Sequence, residues 1–456
     1  MGNKFKNCDR NTPFMMPPSI QEWLPQDHLA RFVVDIVSQL NFQKIKDQYK
    51  RGGKEGYDPS MLTAMLFYGY ATGIFSSRKI ENASYDSVAF RYVCAGQHPD
   101  HDTIAEFRKR FLKELEDFFV EILKIAHEVG VLKLGNISID GTKIKANASK
   151  HKALSWEYAN KLEKRLKAEV NELMEKAEQT DQADIADGMN IPDEIARRED
   201  KLEVIAEAKK EISRRAKERY EQEKLEYDEK IAKRKSKEEK TGKKSGGKKP
   251  KAPEKDPKDK DQVNLTDAES RIMPVSGGGF KQSYNGQIAV DVETQMIVEK
   301  HLTNHSNDKQ EIQAVIENLE SNKEKIGMPQ NALADAGYFS ESNVKLSEEH
   351  GITPYFSMNR DNHNKTLEER FSESNEIPLE NLEPVDAMKH RLKTKAGKEL
   401  YAKRKSTVEP AFGIIKQVLG FREFLLRGLE AASGEWSLVC MAFNLKKLHR
   451  ITVSKS

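Results

Sequence analysis

The chain has 456 residues, room for two to four domains at ~100–200 residues each, and its charged fraction of 33% exceeds the ~25% of ordinary globular domains, so some stretch is strongly solvated. Its 76 basic and 73 acidic residues nearly cancel to a net +3, a total that by itself argues against a nucleic-acid partner. The longest apolar window, Leu66 to Phe75, is interrupted by Gly69 and Thr72 and falls far short of the ~18 residues a membrane span needs, which excludes a membrane partner by spanning.

In chain order, the first 130 residues read as helical. Ser19 after Pro17 and Pro18 is a good N-cap, and apolar residues recur at helical spacing from Asp27 to Val37. Asp58 and Pro59 open a second helix through Met61, Leu62, Met65 and Leu66. Asp102 opens a third that continues through Phe107, Phe111, Leu115, Phe118 and Ile122, a row of core rather than binding side chains. From Asn136 to Lys145 β-branched residues alternate around a turn-like Asp140-Gly141.

The next hundred residues form a separate object. Ala159, Leu162, Leu166, Val170 and Leu173 repeat at three to four residues, and Leu202, Ile205, Ile212 and Ala216 repeat likewise beyond a reversal near Gly188 and Pro192. This predicts an antiparallel helical hairpin zipped along a thin seam. Residues 234–260 then hold 12 basic and 5 acidic side chains and almost nothing apolar, the composition of a disordered tether. Strands follow at Gly286 to Val292 and Met296 to Leu302, a helix at Lys309 to Leu319, strands at Ala332 to Asp335 and Ile352 to Phe356, and a C-terminal helical stretch from about Lys405. That order is an α/β order. The predicted domains are a helical 1–130, an α/β domain of 131–155 with 263–456, a hairpin 156–233 and a linker 234–262.

Three carboxylates stand out. Asp140 ends an apolar strand before Gly141, Asp335 ends another before Ala336 and Gly337, and Glu409 lies among basic residues at the expected start of an apolar helix, where the helix dipole favours an acid. Buried strands that end in Asp are costly unless the charge is paired or holds a metal, and sites in α/β folds assemble at the carboxyl ends of strands. Carboxylates without a His or Cys set suit Mg²⁺ or Mn²⁺. Asp291 and Asp308 compete for the same role, but Asp291 reads as a strand residue and Asp308 as the cap of the helix at Lys309.

These blocks, in this order, resemble the DDE transposases of bacterial insertion sequences. The stretch from Pro17 to Phe119, with Tyr57 to Leu62 and His101 to Arg108, resembles the helical domain that precedes their catalytic core. Ile139 to Lys143 resembles the block of the first catalytic Asp, Asn264 to Met273 with Gly279 to Gln287 the segment that leads into the next strands, Ala334 to Ser340 the second Asp block, and Val408 to Lys416 the Glu block with its Lys seven positions on. One departure is visible: the family's Arg position before the Glu falls on Lys405 and its Tyr position on Ala402, with Arg404 and Tyr401 displaced by one. The resemblance implies an RNase H-like (retroviral-integrase-like) core in which Asp140, Asp335 and Glu409 hold two Mg²⁺ (or Mn²⁺) ions. It implies hydrolysis at the element's terminal inverted repeats, strand transfer into target DNA, phosphate contacts from Lys403, Arg404, Lys405 and Lys416, and a homo-oligomeric active complex. A metal-dependent nuclease without strand transfer and a non-catalytic DNA-binding protein are the alternatives.

The charge total also reads differently once mapped. Residues 389–405 carry eight basic side chains and one acid and lead into the Glu409 block, so the near-neutral sum hides two basic segments and a net acidic remainder. Cys8, Cys94 and Cys440 lie far apart, which offers neither a zinc site nor a disulfide framework and fits a reducing cytoplasm. The start shows no apolar signal region, and Lys6 breaks the myristoylation pattern that Gly2 would begin, so no targeting segment is expected.

Overall fold

The chain's β-branched run at Asn136–Lys145 forms one uninterrupted strand, β1, at the middle of the principal sheet. A computed structural model describes residues 19–49, 56–179, 190–241, 249–275, 277–358 and 382–454. It divides into two compact units: residues 1–145 with 275–277 and 284–456, and residues 146–274 with 278–283.

In the first unit β1 is neighbour to β5 (Phe280–Asp291), which enters from the second unit, and on its other side to β7 (Asn331–Ala334). β7 runs parallel to β1 with Asn136 opposite Asn331, Ile137 opposite Ala332 and Ser138 opposite Leu333. The Asn331 amide donates to the Asn136 side-chain oxygen at 2.7 Å and locks that register from its first pair. β8 (Thr353–Phe356) continues the parallel array at the edge, where Pro354 can lack an N–H without breaking an inner ladder. β6 (Ile297–Thr303) pairs antiparallel with β5.

Helices cover this sheet. In the N-terminal part α1 (Leu29–Ser38) and α2 (Gln43–Lys46) precede α3 (Pro59–Ala71), which is buried nearly all round and begins with Asp58 accepting from the Ser60 N–H at 2.7 Å. After α4 (Ser77–Asp86) and α5 (Val88–Val93), the third expected helix is in fact two, α6 (His101–Arg110) and α7 (Leu112–Glu128), with a break at Phe111. Asp100 rather than Asp102 caps α6, because its side chain is the one that reaches the Thr103 N–H. Ser19 caps only a short 3₁₀ turn, and His28 caps α1.

Towards the C-terminus come α10 (Glu311–Ser321), α11 (Lys323–Ile326), α12 (Glu341–Glu349), α13 (Pro384–Lys393), α14 (Lys395–Gly413) and α15 (Leu429–Val453). α15 is buried on every side from Gly434 to Leu445, so the polar side chains within that stretch need partners. Its Asn444 amide takes both the N–H and the C=O of Ile297, which satisfies the outer edge of β6. Gly286 on β5 leaves room for Trp436, whose ring would lie 3.0 Å from an added Cβ. Glu435, fully buried, accepts from Tyr70 of α3 and from the backbone N–H groups of Leu425 and Leu426. The N-terminal helices therefore share one core with the sheet, and residue 130 is no break between compact units.

The second unit carries α8 (Trp156–Gln179) and α9 (Ile191–Thr241) with two short strands, β2 (Ala153–Ser155) and β3 (Gln262–Asn264), paired antiparallel. β4 (Arg271–Pro274) pairs with the first residues of β5. Leu166, Ile205, Ala208 and Ile212 form the seam between the helices. Arg198 meets Glu169 and Lys209 meets Glu163, so the pair runs antiparallel. The tip, including Gly188, lies outside the described residues. α9 continues to Thr241, into the stretch expected to be linker, and Gln262, the last residue of that stretch, opens the strand Gln262–Asn264. The reason is local: the charges around 234–241 belong to Lys, Arg and Glu, which are strong helix formers as well as soluble ones. Among the described residues no helix is long and apolar enough to cross a membrane.

Ile212→Ala should remove about 2–5 kcal/mol from this seam. The measurement is hydrogen exchange of the α8 and α9 amides, and protection equal to that of the unaltered chain would contradict the seam.

Candidate active site

Asp140 and Asp335 are brought together by register. The pairing of Ser138 with Leu333, continued two residues, sets Asp140 level with Asp335, the first residue past the end of β7. Adjacent strands lie ~4.8 Å apart, so two carboxylates meet at the carboxyl end of a parallel pair. The Asp335 side chain accepts from the Gly337 N–H at 2.8 Å, and Asp140 accepts from the Gly141 N–H at 2.8 Å. Burial pushes the Asp140 carboxyl up to about 6, and the negative charges of Asp335 and Asp308 push the same way, against the Gly141 N–H and Arg404.

The Asp-Gly pair inside β1 is not a turn. β1 runs straight through it, and the missing side chain of Gly141 makes room for two amides: an added Cβ would lie 2.2 Å from Gln287 Nε2 and 2.9 Å from Asn285 Oδ1. Successive β1 residues then serve two layers. Ser138, Asp140 and Thr142 meet α14 and the turn after it, whereas Gly141 and Lys143 meet Asn285, Gln287 and Asp308.

On the α14 side, Arg404 Nη1 stands 3.6 Å from Asp140 Oδ2, and the Arg404 carbonyl accepts from Ser138 Oγ at 3.4 Å. Lys416 sits in a single π turn, Ile414–Val418, and its Nζ donates to Thr142 Oγ1 and, at 3.1 Å, to the Lys143 carbonyl. Burial, with the Lys143 charge, lowers the Lys416 amine below its usual range. The residue displaced by one from the family position, Arg404, is thus the one that touches the first Asp. Lys403 and Lys405 are exposed, and Lys403 pairs with Glu293 at 3.3 Å.

Glu409 departs from expectation. It lies well inside α14, five residues past Arg404, not at a helix start, so the N-terminal dipole does not act on it. It is exposed, and among the described residues no three His, Cys, Asp or Glu side chains close into a metal cluster. The pair Asp140–Asp335 is the part of the expected trio that is assembled.

Asp308 also departs. Asn307, not Asp308, caps the turn that leads into α10, through its own side chain and the Lys309 N–H. Asp308 instead accepts from Lys143 Nζ at 3.2 Å, Asn285 Nδ2 at 2.7 Å and Gln287 Nε2 at 2.8 Å. Asp291 keeps its local reading and binds the Thr294 N–H and hydroxyl. Asn285 and Gln287 escape a sequence reading of single carboxylates. Their signal is Ser283, Asn285 and Gln287 at every second position of β5, a polar face on a strand buried almost throughout.

The donors at this corner are all oxygens on the carboxylate side, and Asn285 Oδ1, fully buried beside Gly141, has no hydrogen-bond partner among the described residues. That set fits a hard divalent cation. Two family models match the chain: a transposase domain (DUF772) at residues 18–110 and a transposase DDE domain at residues 251–445, together well over half its length.

The chain belongs to the DDE transposases.

The second match takes in Asp335 and Glu409 of this transposase, and Asp140, which lies outside it, stands level with Asp335 through the β1–β7 register. Its α/β core is RNase H-like, as the DDE domain implies, its substrate is DNA, and its family uses divalent metal ions. Among curated proteins and among solved structures, nothing matches the chain.

Beside the site, His301 lies between Glu299 (3.0 Å) and Glu311 (2.9 Å), and His305 also meets Glu311 at 3.0 Å. Burial alone would lower His301, but the two carboxylates hold it up at about 9; burial would raise Glu311, but His301 and His305 hold it down at about 2. The histidine's contribution to stability is complete below 6.5 and lost as pH rises through about 9. The glutamate's is complete above 4.5 and lost as pH falls through about 2. Thermal melts across pH should therefore separate the transposase from its Glu311→Gln variant most widely between 4.5 and 6.5, and less on either side. A separation independent of pH would contradict this chain of bonds.

Proposed function

We propose that this transposase binds the terminal inverted repeats of its insertion sequence, cuts there and joins the freed ends to target DNA, with two Mg²⁺ (or Mn²⁺) ions held by Asp140, Asp335 and Glu409. The observation that carries the reading is the register that sets Asp140, in the middle of β1, level with Asp335, just past the end of β7. Two like charges forced into one partly buried corner are stable only with compensating positive charge. Bound divalent ions would activate the attacking water or DNA 3′-hydroxyl and stabilise the leaving oxygen of an in-line displacement.

The protein's own side chains supply the rest. Arg404 offsets the Asp140 charge and ties α14, which carries Glu409, to β1. Lys416 pins the other end of that helix to Thr142 and Lys143. Exposed Lys403 and Lys405 face the DNA backbone, in a segment whose charge excess suits phosphate contacts. The helical stretch 1–130 grips the element end, the hairpin 156–233 with the 234–262 segment is an insertion in the catalytic domain 131–155 and 263–456, and the active complex is a homo-oligomer, because two ends are cut in concert. It works on nucleoid DNA in a bacterial cytoplasm.

The test is incubation with Mg²⁺ and DNA that carries the element's ends. Asp140→Asn, Asp335→Asn and Glu409→Gln should each depress cleavage and strand transfer together by more than about 100-fold. Variants as active as the unaltered chain would overturn the site, and cleavage without any joining would make the protein a metal-dependent nuclease instead.

A further inference from the structure

Asp308 is tied to the site far more tightly than a helix-capping residue needs. Its Oδ1 accepts from Lys143 Nζ, Asn285 Nδ2 and Gln287 Nε2. The two amide donors are themselves fixed. Asn285 Nδ2 also donates to the His305 carbonyl at 3.1 Å, so its amide cannot turn over without losing two bonds, and Gln287 Oε1 accepts from the buried Tyr338 hydroxyl. With Oδ1 occupied three times over, Oδ2 is left for another partner. It lies 3.8 Å from the point where a Cβ at Gly337 would stand, and Asp335 Oδ1 lies 2.9 Å from that same point. The Asp308 side chain is about a quarter exposed, so the corner it shares with Asp335 opens to solvent.

A second unmet acceptor lies on the residue that holds Asp308. The same two bonds that fix the Asn285 amide nitrogen, one of them to Asp308, leave its Oδ1 on the Gly141 side of β1, where this fully buried oxygen has no hydrogen-bond partner among the described residues. Buried acceptors are rarely left so.

We infer that Asp308 is a fourth acidic ligand of the site, its free Oδ2 standing with Asp335 to hold one of the divalent ions, in a frame of Lys143, Asn285, Gln287 and Tyr338. This rests on the metal-dependent reading of Asp140 and Asp335 above. It explains why three donors converge on one oxygen of Asp308: they aim the other.

The test reads metal rather than turnover. Free Mn²⁺ in titrations of the full chain, followed by electron paramagnetic resonance, gives both stoichiometry and affinity. The unaltered chain should bind two Mn²⁺, and Asp308→Asn should lose one or weaken it by at least ~10-fold. The paired variant Lys143→Met/Asp308→Asn removes both charges and leaves no unpaired lysine should the single variant fail to fold; far-UV circular dichroism checks both, and the same loss is expected. Two Mn²⁺ bound with unchanged affinity by a folded Asp308 variant, while Asp140→Asn and Asp335→Asn lose binding, would overturn Asp308 as a ligand and leave the site intact. Unchanged binding in Asp140→Asn and Asp335→Asn would instead overturn the metal site itself.

Discussion

One register decides this protein: the parallel pairing of β1 with β7, locked at its start by the Asn136–Asn331 amide pair. Slide it by a residue and Asp140 no longer stands level with Asp335. Trp436 packed against Gly286 of β5 and the Asn444 amide bonded to Ile297 of β6 brace the strands on the β5 side of β1. The sheet's stability is thereby spent on keeping two mutually repelling carboxylates side by side.

That repulsion explains the chemistry gathered around them. Arg404 approaches Asp140 from α14 and Lys143 approaches Asp308 from β1, while burial first, and the charges of Asp335 and Asp308 after it, push the Asp140 carboxyl up to about 6. β1 manages this by alternation. Its even-numbered residues from Ser138 to Thr142 engage the helix that carries Glu409 and the turn after it, whereas Gly141 faces the amides of β5 and Lys143 engages Asp308. A strand with a side chain at 141 could not serve both layers, because Gln287 occupies the space that side chain would need.

Much of this was legible in the residue order. Alternation exposed β1, strands were expected where β6, β7 and β8 run, the 3–4 spacing exposed the α8–α9 seam, and Asp residues followed by small ones pointed to Asp140 and Asp335, although β1 does not end at Asp140. What failed did so for reasons of context. Asp140-Gly141 looks like a turn because turns and close packing both select glycine, and only the neighbour, Gln287, tells them apart. Asp308 looked like a cap because Asn307, one residue earlier, can do the same job and does. Glu409 seemed to open a helix because Pro410 is at home in a first turn, yet α14 had already begun at Lys395. The basic run after 234 looked wholly unstructured because Lys and Glu serve solvated coils and solvated helices equally well.

The account stands or falls on whether divalent metal gathers where the register puts the two aspartates. Anomalous diffraction from Mn²⁺, in crystals of the full chain with DNA of its element end, locates the metal directly. The account predicts anomalous peaks coordinated by both Asp140 and Asp335. Ordered DNA with Mn²⁺ bound elsewhere, and both aspartates without metal, would contradict it.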